Sequence, residues 1–118
     1  MDELSPDEYT QLVEDNGLSQ LFANRVRARI IAALFYASEP LSVAELAAGA
    51  GVDQTVVHEA LDPLSRFDLL ETIESDDGRP QYALAADDQL VDALRTVAEL
   101  ATERYYREPV DVTDSDEP

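Results

Sequence analysis

Residues 42–65 read SVAELAAGAGVDQTVVHEALDPLS. Ser42 and Glu45 stand three apart, the pattern in which two side chains cap the first turn of a helix reciprocally. Val43, Leu46 and Ala47 then give a short helix one buried stripe. That helix runs out in Ala48-Gly49-Ala50-Gly51, and Val52 follows as an apolar turn residue. Asp53 is expected to cap a second helix starting at Gln54, which buries Val57, Leu61 and Leu64, with Val56 and Ala60 beside them. Its early exposed positions are Gln54, Thr55, His58 and Glu59. Asp62-Pro63 is expected to interrupt it. Pro63 has no N–H to donate, and Asp62 can cap a restarted helix. Two short capped helices joined by a tight Gly-containing turn form a helix-turn-helix pattern.

Upstream, Ser19 to Ala37 reads as one long helix. Phe22, Val26, Ile30, Ala33, Leu34 and Ala37 recur at helical spacing, and Pro40 ends it. Arg25 and Arg29 share a second face, while Arg27 points elsewhere. Downstream, Leu69 to Glu74 reads as a strand. Asp77-Gly78 is a hairpin signal, and Gln81 to Ala85 is the return strand, with Tyr82 and Leu84 on one face. Three helices followed by a hairpin are the order of a winged helix, with Arg79 near the tip of the wing. A last long helix is expected after a cap at Asp87, with Leu90, Leu94, Val97, Ala101 and Tyr105 as its apolar stripe. At the other end, Ser5-Pro6-Asp7-Glu8 starts a helix that stops at Asn16-Gly17, with Gly17 as a left-handed cap. The fold expected is mainly α (α+β), a winged helix-turn-helix with a two-stranded wing and extra helices at both ends. Residues 1–17 form an acidic helical segment, 18–86 the winged helix, 87–107 a dimerisation helix, and 108–118 a disordered acidic tail.

The chain has 118 residues, 26 Asp and Glu, eight basic residues that are all Arg, and a formal net charge of −18. Hydrophobic residues make up 45%, too many for a disordered acidic chain. A folded, heavily acidic domain without Lys looks like a protein of an extreme halophile, because self-repulsion is screened when the Debye length falls to about 3 Å at 1 M salt. The ends carry much of the charge. Residues 17–107 hold fifteen acids against the eight Arg. With no Cys there is no disulfide, thiolate metal site or cysteine nucleophile. No apolar run approaches the ~20 residues of a membrane span, and the first fifteen residues carry six acids and no base, unlike a targeting signal. A cytoplasmic location is the expectation, with no membrane partner. No paired nucleophile and base, phosphate-binding Gly loop or metal cluster appears, so an enzyme is not expected.

The block VRARIIAALFYASEPLSVAELAAGAGVDQTVVHEALDPLSRFDLLETIE, with the acidic wing and long closing helix after it, resembles the ArsR-like winged helix-turn-helix regulators, in a form like those of haloarchaea. The resemblance covers Leu21 to Tyr106. It implies a transcription regulator that binds double-stranded DNA as a homodimer. The helix from Gln54 to Leu61 would enter the major groove, the wing would touch the backbone or minor groove, and the outer helices would make the dimer. The metal-sensing members use Cys and His ligands. This chain has no Cys, and His58 stands alone, so a metal site is not expected and no cofactor is implied.

Within that frame Gln54, Thr55 and His58 are the candidates for base contacts. Gln suits adenine, and Thr donates, accepts or meets a thymine methyl. Their other reading is as solvated residues opposite a buried stripe. Arg79, Arg25, Arg29 and Arg66 are the candidate phosphate contacts, with ion pairing as the alternative in so acidic a chain. Arg95, Arg104 and Arg107 are expected to pair with Glu99, Glu103 or Glu108 along the last helix. No residue signals an effector. DNA affinity normally draws on basic patches. This chain has none in sequence, so repulsion is expected at low salt and tolerance of high salt in its place. A second reading is a winged helix that binds a protein in a transcription complex without touching DNA.

Overall fold

The computed structural model describes residues 5–107. Helices α1 (Pro6–Asp15), α2 (Gly17–Leu21), α3 (Arg25–Tyr36), α4 (Val43–Ala50) and α5 (Gln54–Ser65) precede a hairpin of β1 (Leu70–Glu74) and β2 (Pro80–Leu84), and α6 (Gln89–Tyr105) closes the chain. This is the expected winged helix-turn-helix with added outer helices. The tail from 108 onward, expected to be disordered, lies outside the described residues.

Both reciprocal caps form. Ser5 and Glu8 cap α1, and Ser42 and Glu45 cap α4, the latter with Glu45 N to Ser42 Oγ at 3.1 Å and Ser42 N to Glu45 Oε1 at 2.9 Å. Gly51 closes α4 in the left-handed conformation, φ 73°, and donates its N–H to the Ala47 carbonyl at 2.9 Å. Only glycine takes that conformation without a Cβ penalty, so the sharp turn into α5 rests on it.

Ile30, Leu34, Leu46, Ala50, Val57, Leu61 and Leu64 are buried together, joined by Ile31, Leu69, Val91 and Leu94. Three helices thus converge on one centre, the wing root closes its lower edge, and the first half of α6 lies across it. The two strands pair antiparallel, Leu70 opposite Leu84 through Glu74 opposite Pro80. Leu41, just before the α4 cap, pairs with Tyr82 through N–H to carbonyl bonds of 2.9 and 2.8 Å in the two directions.

Five local expectations fail. The segment from Ser19 to Ala37 is not one helix, since Phe22 to Asn24 break it. The Asn24 side chain accepts the Arg27 N–H at 3.2 Å and starts α3 afresh. Phe22, expected in the core, is exposed. Gly17 is no left-handed cap. It opens α2, and Asn16 both ends α1 and caps α2 by accepting from Leu18 N at 2.8 Å. Pro63 does not interrupt its helix, which runs on to Ser65. A proline inside a helix forfeits the bond to the residue four back and crowds that residue's carbonyl, and burial of Leu61 and Leu64 on either side holds the segment helical against that cost. Finally, Asp88 rather than Asp87 caps α6, accepting from Leu90 N and Val91 N at 3.0 and 3.1 Å. Asp87 takes the left-handed conformation, φ 56°, which Asp tolerates better than most residues.

Candidate nucleic-acid interface

The buried stripe of α5 leaves its opposite face free. Val57, Ala60, Leu61 and Leu64 turn inward, while Gln54, Thr55, His58, Glu59 and Asp62 are exposed. The cap residue Asp53 makes no side-chain hydrogen bond, so the first-turn amides of α5 have no side-chain oxygen from it. The structure therefore brings Gln54, Thr55 and His58 onto one open face at the start of the second helix of the pair. Glu59 turns towards the beginning of α3. With Asn24, Val26, Arg27, Val56 and Ala60 it surrounds a small hollow of about 70 Å³.

The wing turn is built by its own side chains. Gly78 has φ 82°, and its N–H reaches the Ser75 carbonyl at 2.9 Å, while Ser75 N donates to the Arg79 carbonyl at 2.9 Å. This is a three-residue loop with glycine at the left-handed position. The Asp77 carboxylate sits at its centre, accepting from the Ser75 hydroxyl and from Arg79 N at 3.1 Å. Those hydrogen bonds, the Ser75 hydroxyl first, hold the Asp77 carboxyl below the usual carboxylate range. Arg79 Nε lies 3.8 Å from an Asp77 oxygen, the one ion pair among the described residues, and the Arg79 side chain is 81% exposed. In so open a setting that pair is screened and weak, so Arg79 is free to leave it for a phosphate.

A group whose folded pKa is depressed stabilises its structure above its unfolded pKa, and that support goes as pH falls through the folded value. The wing turn is accordingly expected to loosen at acid pH, below about 4, while α5 stays intact. NMR of the Gly78 and Arg79 amides against pH checks this. A step lost in Asp77→Asn supports the assignment, and the same step persisting there refutes it.

The other candidate cations divide. Arg25 and Arg66 are exposed. Arg29 donates from Nε to the Ala50 carbonyl at 2.9 Å, which ties α3 to the end of α4 beside the Gly51 turn. Its Nε is spent on the fold, and only the outer nitrogens remain for a ligand. Arg27 turns inward: one terminal nitrogen reaches the Gln20 carbonyl and its Nε is buried without a partner. On α6, neither Arg95 nor Arg104 pairs with Glu99 or Glu103 as expected, since no ion pair joins them among the described residues. The Arg95 guanidinium lies over the Phe35 ring, 4.8 Å from the centroid. Among the described residues no group of three His, Asp or Glu is placed to hold a metal ion, and no helix is long and apolar enough to cross a membrane.

Helices α4 and α5, set at the root of a two-stranded wing, define a winged helix-turn-helix protein. Residues 22–73 match the family model described as a helix-turn-helix domain. Among solved structures the chain is similar to the AntR antimony-specific transcriptional repressor, 23% identical over 92% of this chain and 91% of that one, with a TM-score of 0.62. It is also similar to NolR from Sinorhizobium fredii, 23% identical over 92% of this chain and 100% of that one, TM-score 0.58. A third is the homodimeric winged helix-turn-helix DNA-binding domain of Mb0332 from Mycobacterium bovis, described as a possible ArsR-family transcriptional regulator, 22% identical over 92% of this chain and 100% of that one, TM-score 0.57. At these identities the likeness is one of fold. No curated protein matches the sequence.

Proposed function

We propose that this chain is a sequence-specific DNA-binding transcription regulator that acts as a homodimer at high salt. The observation that carries the reading is the open polar face of Gln54, Thr55 and His58 at the N-terminal end of α5, with an exposed Arg79 on the wing of the same domain. Groove-reading helices present their N-terminal residues to base edges in this way. Arg79, Arg25, Arg66 and the outer nitrogens of Arg29 serve as phosphate contacts that set orientation. The fold likeness to a repressor and to a DNA-binding domain supports the same conclusion.

The dimer reading draws on the outer helices. Leu90, Val97, Leu100 and Tyr105 are exposed on α6, Ala101 is exposed with them, and Tyr9, Leu12 and Val13 are exposed on α1, which has no buried residue. Leu94 differs from the rest of its stripe: at 8% exposed it belongs to the chain's own core. An apolar row on two outer helices is what a second copy covers. Light scattering in molar salt is expected to return twice the 13.0 kDa of one chain. The mass of a single chain would remove the dimer from the proposal.

The net charge of −18 sets the conditions. Screening at molar salt removes the repulsion between acidic protein and phosphate backbone, so binding persists as KCl rises. The test is chromatin immunoprecipitation of the tagged protein from its native host at the host's own salt. Sharp peaks at a few promoters establish the regulator. No enrichment overturns it in favour of a protein-binding winged helix.

A further inference from the structure

The first half of α6 packs on the core, but its second half leans over α3 without closing on it. Between them lies an open groove of about 440 Å³ lined by Ala32, Phe35, Tyr36, Arg95, Ala98 and Thr102, with Glu99 and Glu103 also on its wall. The floor is apolar and aromatic, and the wall facing it is acidic. Successive residues turn by 100° around a helix, so Arg95, Glu99 and Thr102 are on the opposite flank of α6 from Leu90, Val97 and Leu100, while Ala98 borders Tyr105 and Glu103 borders Leu100 at the two edges. The centre of the groove is thus turned away from the row assigned to a second copy, and the two surfaces meet only at their edges.

Three features decide what the groove accepts. Glu99 and Glu103 are one turn apart on the same flank, and neither has a hydrogen bond or ion pair among the described residues. Like charges at this spacing repel and weaken the helix unless a cation comes between them. Arg95, one turn before Glu99, is turned onto the Phe35 ring instead, and neither Arg104 nor Arg107 forms an ion pair with the two carboxylates among the described residues. The Tyr36 ring, 84% exposed, has no partner of its own among the described aromatic and cation contacts. Two carboxylates beside an open aromatic face and an apolar floor are the recognition chemistry of an organic cation. The field of a chain at −18 draws cations towards such a groove and repels anions.

We propose that the groove between α3 and α6 binds a bulky, lipophilic organic monocation, its charge set between Glu99 and Glu103 and its apolar groups against Tyr36, Ala32 and Ala98. The carboxylates choose the sign of the ligand, and the floor supplies the burial. At high salt the burial dominates, because apolar contact survives where Coulomb attraction between exposed charges is screened. The site does not depend on the DNA reading, and it stands or falls on ligand binding alone.

Two probes of nearly the same size and shape separate charge from greasiness: tetraphenylphosphonium, a cation, and tetraphenylborate, an anion. Binding of each to the full chain is followed by isothermal titration calorimetry in sodium chloride. Tetraphenylphosphonium is expected to bind and tetraphenylborate to bind at least about tenfold more weakly. Glu99→Gln with Glu103→Gln is expected to weaken the cation by about fivefold, the scale of two partly screened charge contacts. Tyr36→Ala is expected to weaken both probes. A charge-matched control, Asp7→Asn with Glu8→Gln on α1, removes two acids elsewhere and is expected to leave binding unchanged. Circular dichroism confirms that each variant is folded. Equal binding of the two probes would reduce the groove to a greasy surface and overturn the proposal. So would cation binding that falls as much in the α1 control as in the groove variant, since the acidic surface as a whole would then be the receptor.

Discussion

Leu46→Ala is expected to lower the stability of the fold more than any surface truncation, and to bring its thermal unfolding down into a range where the parent chain is still folded. Leu46 is fully buried at the meeting of α3, α4 and α5. Removing its branched end costs the lost burial and leaves a cavity that three helix backbones cannot collapse to fill, about 3 kcal/mol. A domain of this length has a total of roughly 5–15 kcal/mol to lose. The midpoint of thermal unfolding in molar salt should drop by roughly 12–24 °C. Leu18→Ala provides the contrast. Leu18 is 66% exposed on α2, outside the row assigned to a second copy, so its truncation costs under about 0.5 kcal/mol. If Leu46→Ala melted within a degree or two of the parent, the described core would be wrong.

The second large effect concerns DNA. Gln54→Ala with Thr55→Ala removes two side chains from the open face of α5 without touching its buried stripe. A base contact is worth about 1–3 kcal/mol, so loss of two, about 2–6 kcal/mol, should weaken binding to the recovered promoter by at least roughly thirtyfold while the fold survives. Arg79→Ala should act differently. A phosphate contact carries no sequence information, so all DNA sequences should weaken together by a modest factor. Fluorescence anisotropy on the promoter fragment and on a scrambled one, each at several KCl concentrations, separates the two effects. Unchanged discrimination in the Gln54/Thr55 variant would move base reading off α5. A steady loss of affinity as KCl rises would contradict the salt tolerance expected of so acidic a chain, because it is the behaviour of counterion release from a basic surface.

Much of the architecture was legible because it depends on local chemistry. Ser42 with Glu45 and Ser5 with Glu8 announce helix starts wherever they stand, and Asp77-Gly78 announces the wing. Where reading failed, a short polar side chain had competed with an apolar period. Asn24 sits inside a run whose spacing fits one helix, and its side chain ends that helix by offering the Arg27 amide a better partner. Asn16 does the same between α1 and α2. Asp87 and Asp88 are equivalent on paper, and only the backbone decides that one turns left-handed while the other caps. On the candidate site, exposure of Gln54, Thr55 and His58 followed directly from the stripe they oppose. Pairings over distance did not follow. Arg29 on the Ala50 carbonyl and Arg95 over Phe35 join residues 21 and 60 positions apart, and a spacing rule sees only the nearest carboxylate.

The two bonds between Leu41 and Tyr82 have a consequence for how such a domain can change over time. They stitch the return strand of the wing to the residue just before the α4 cap, and they are main chain to main chain. No replacement short of proline removes them. The root of the wing and the entry to α4 are therefore held in register by main chain, while Gln54, Thr55 and His58, the residues proposed to read bases, project from α5 as exchangeable parts. Under that proposal a lineage can change the sequence recognised one side chain at a time, on an instrument whose frame stays set.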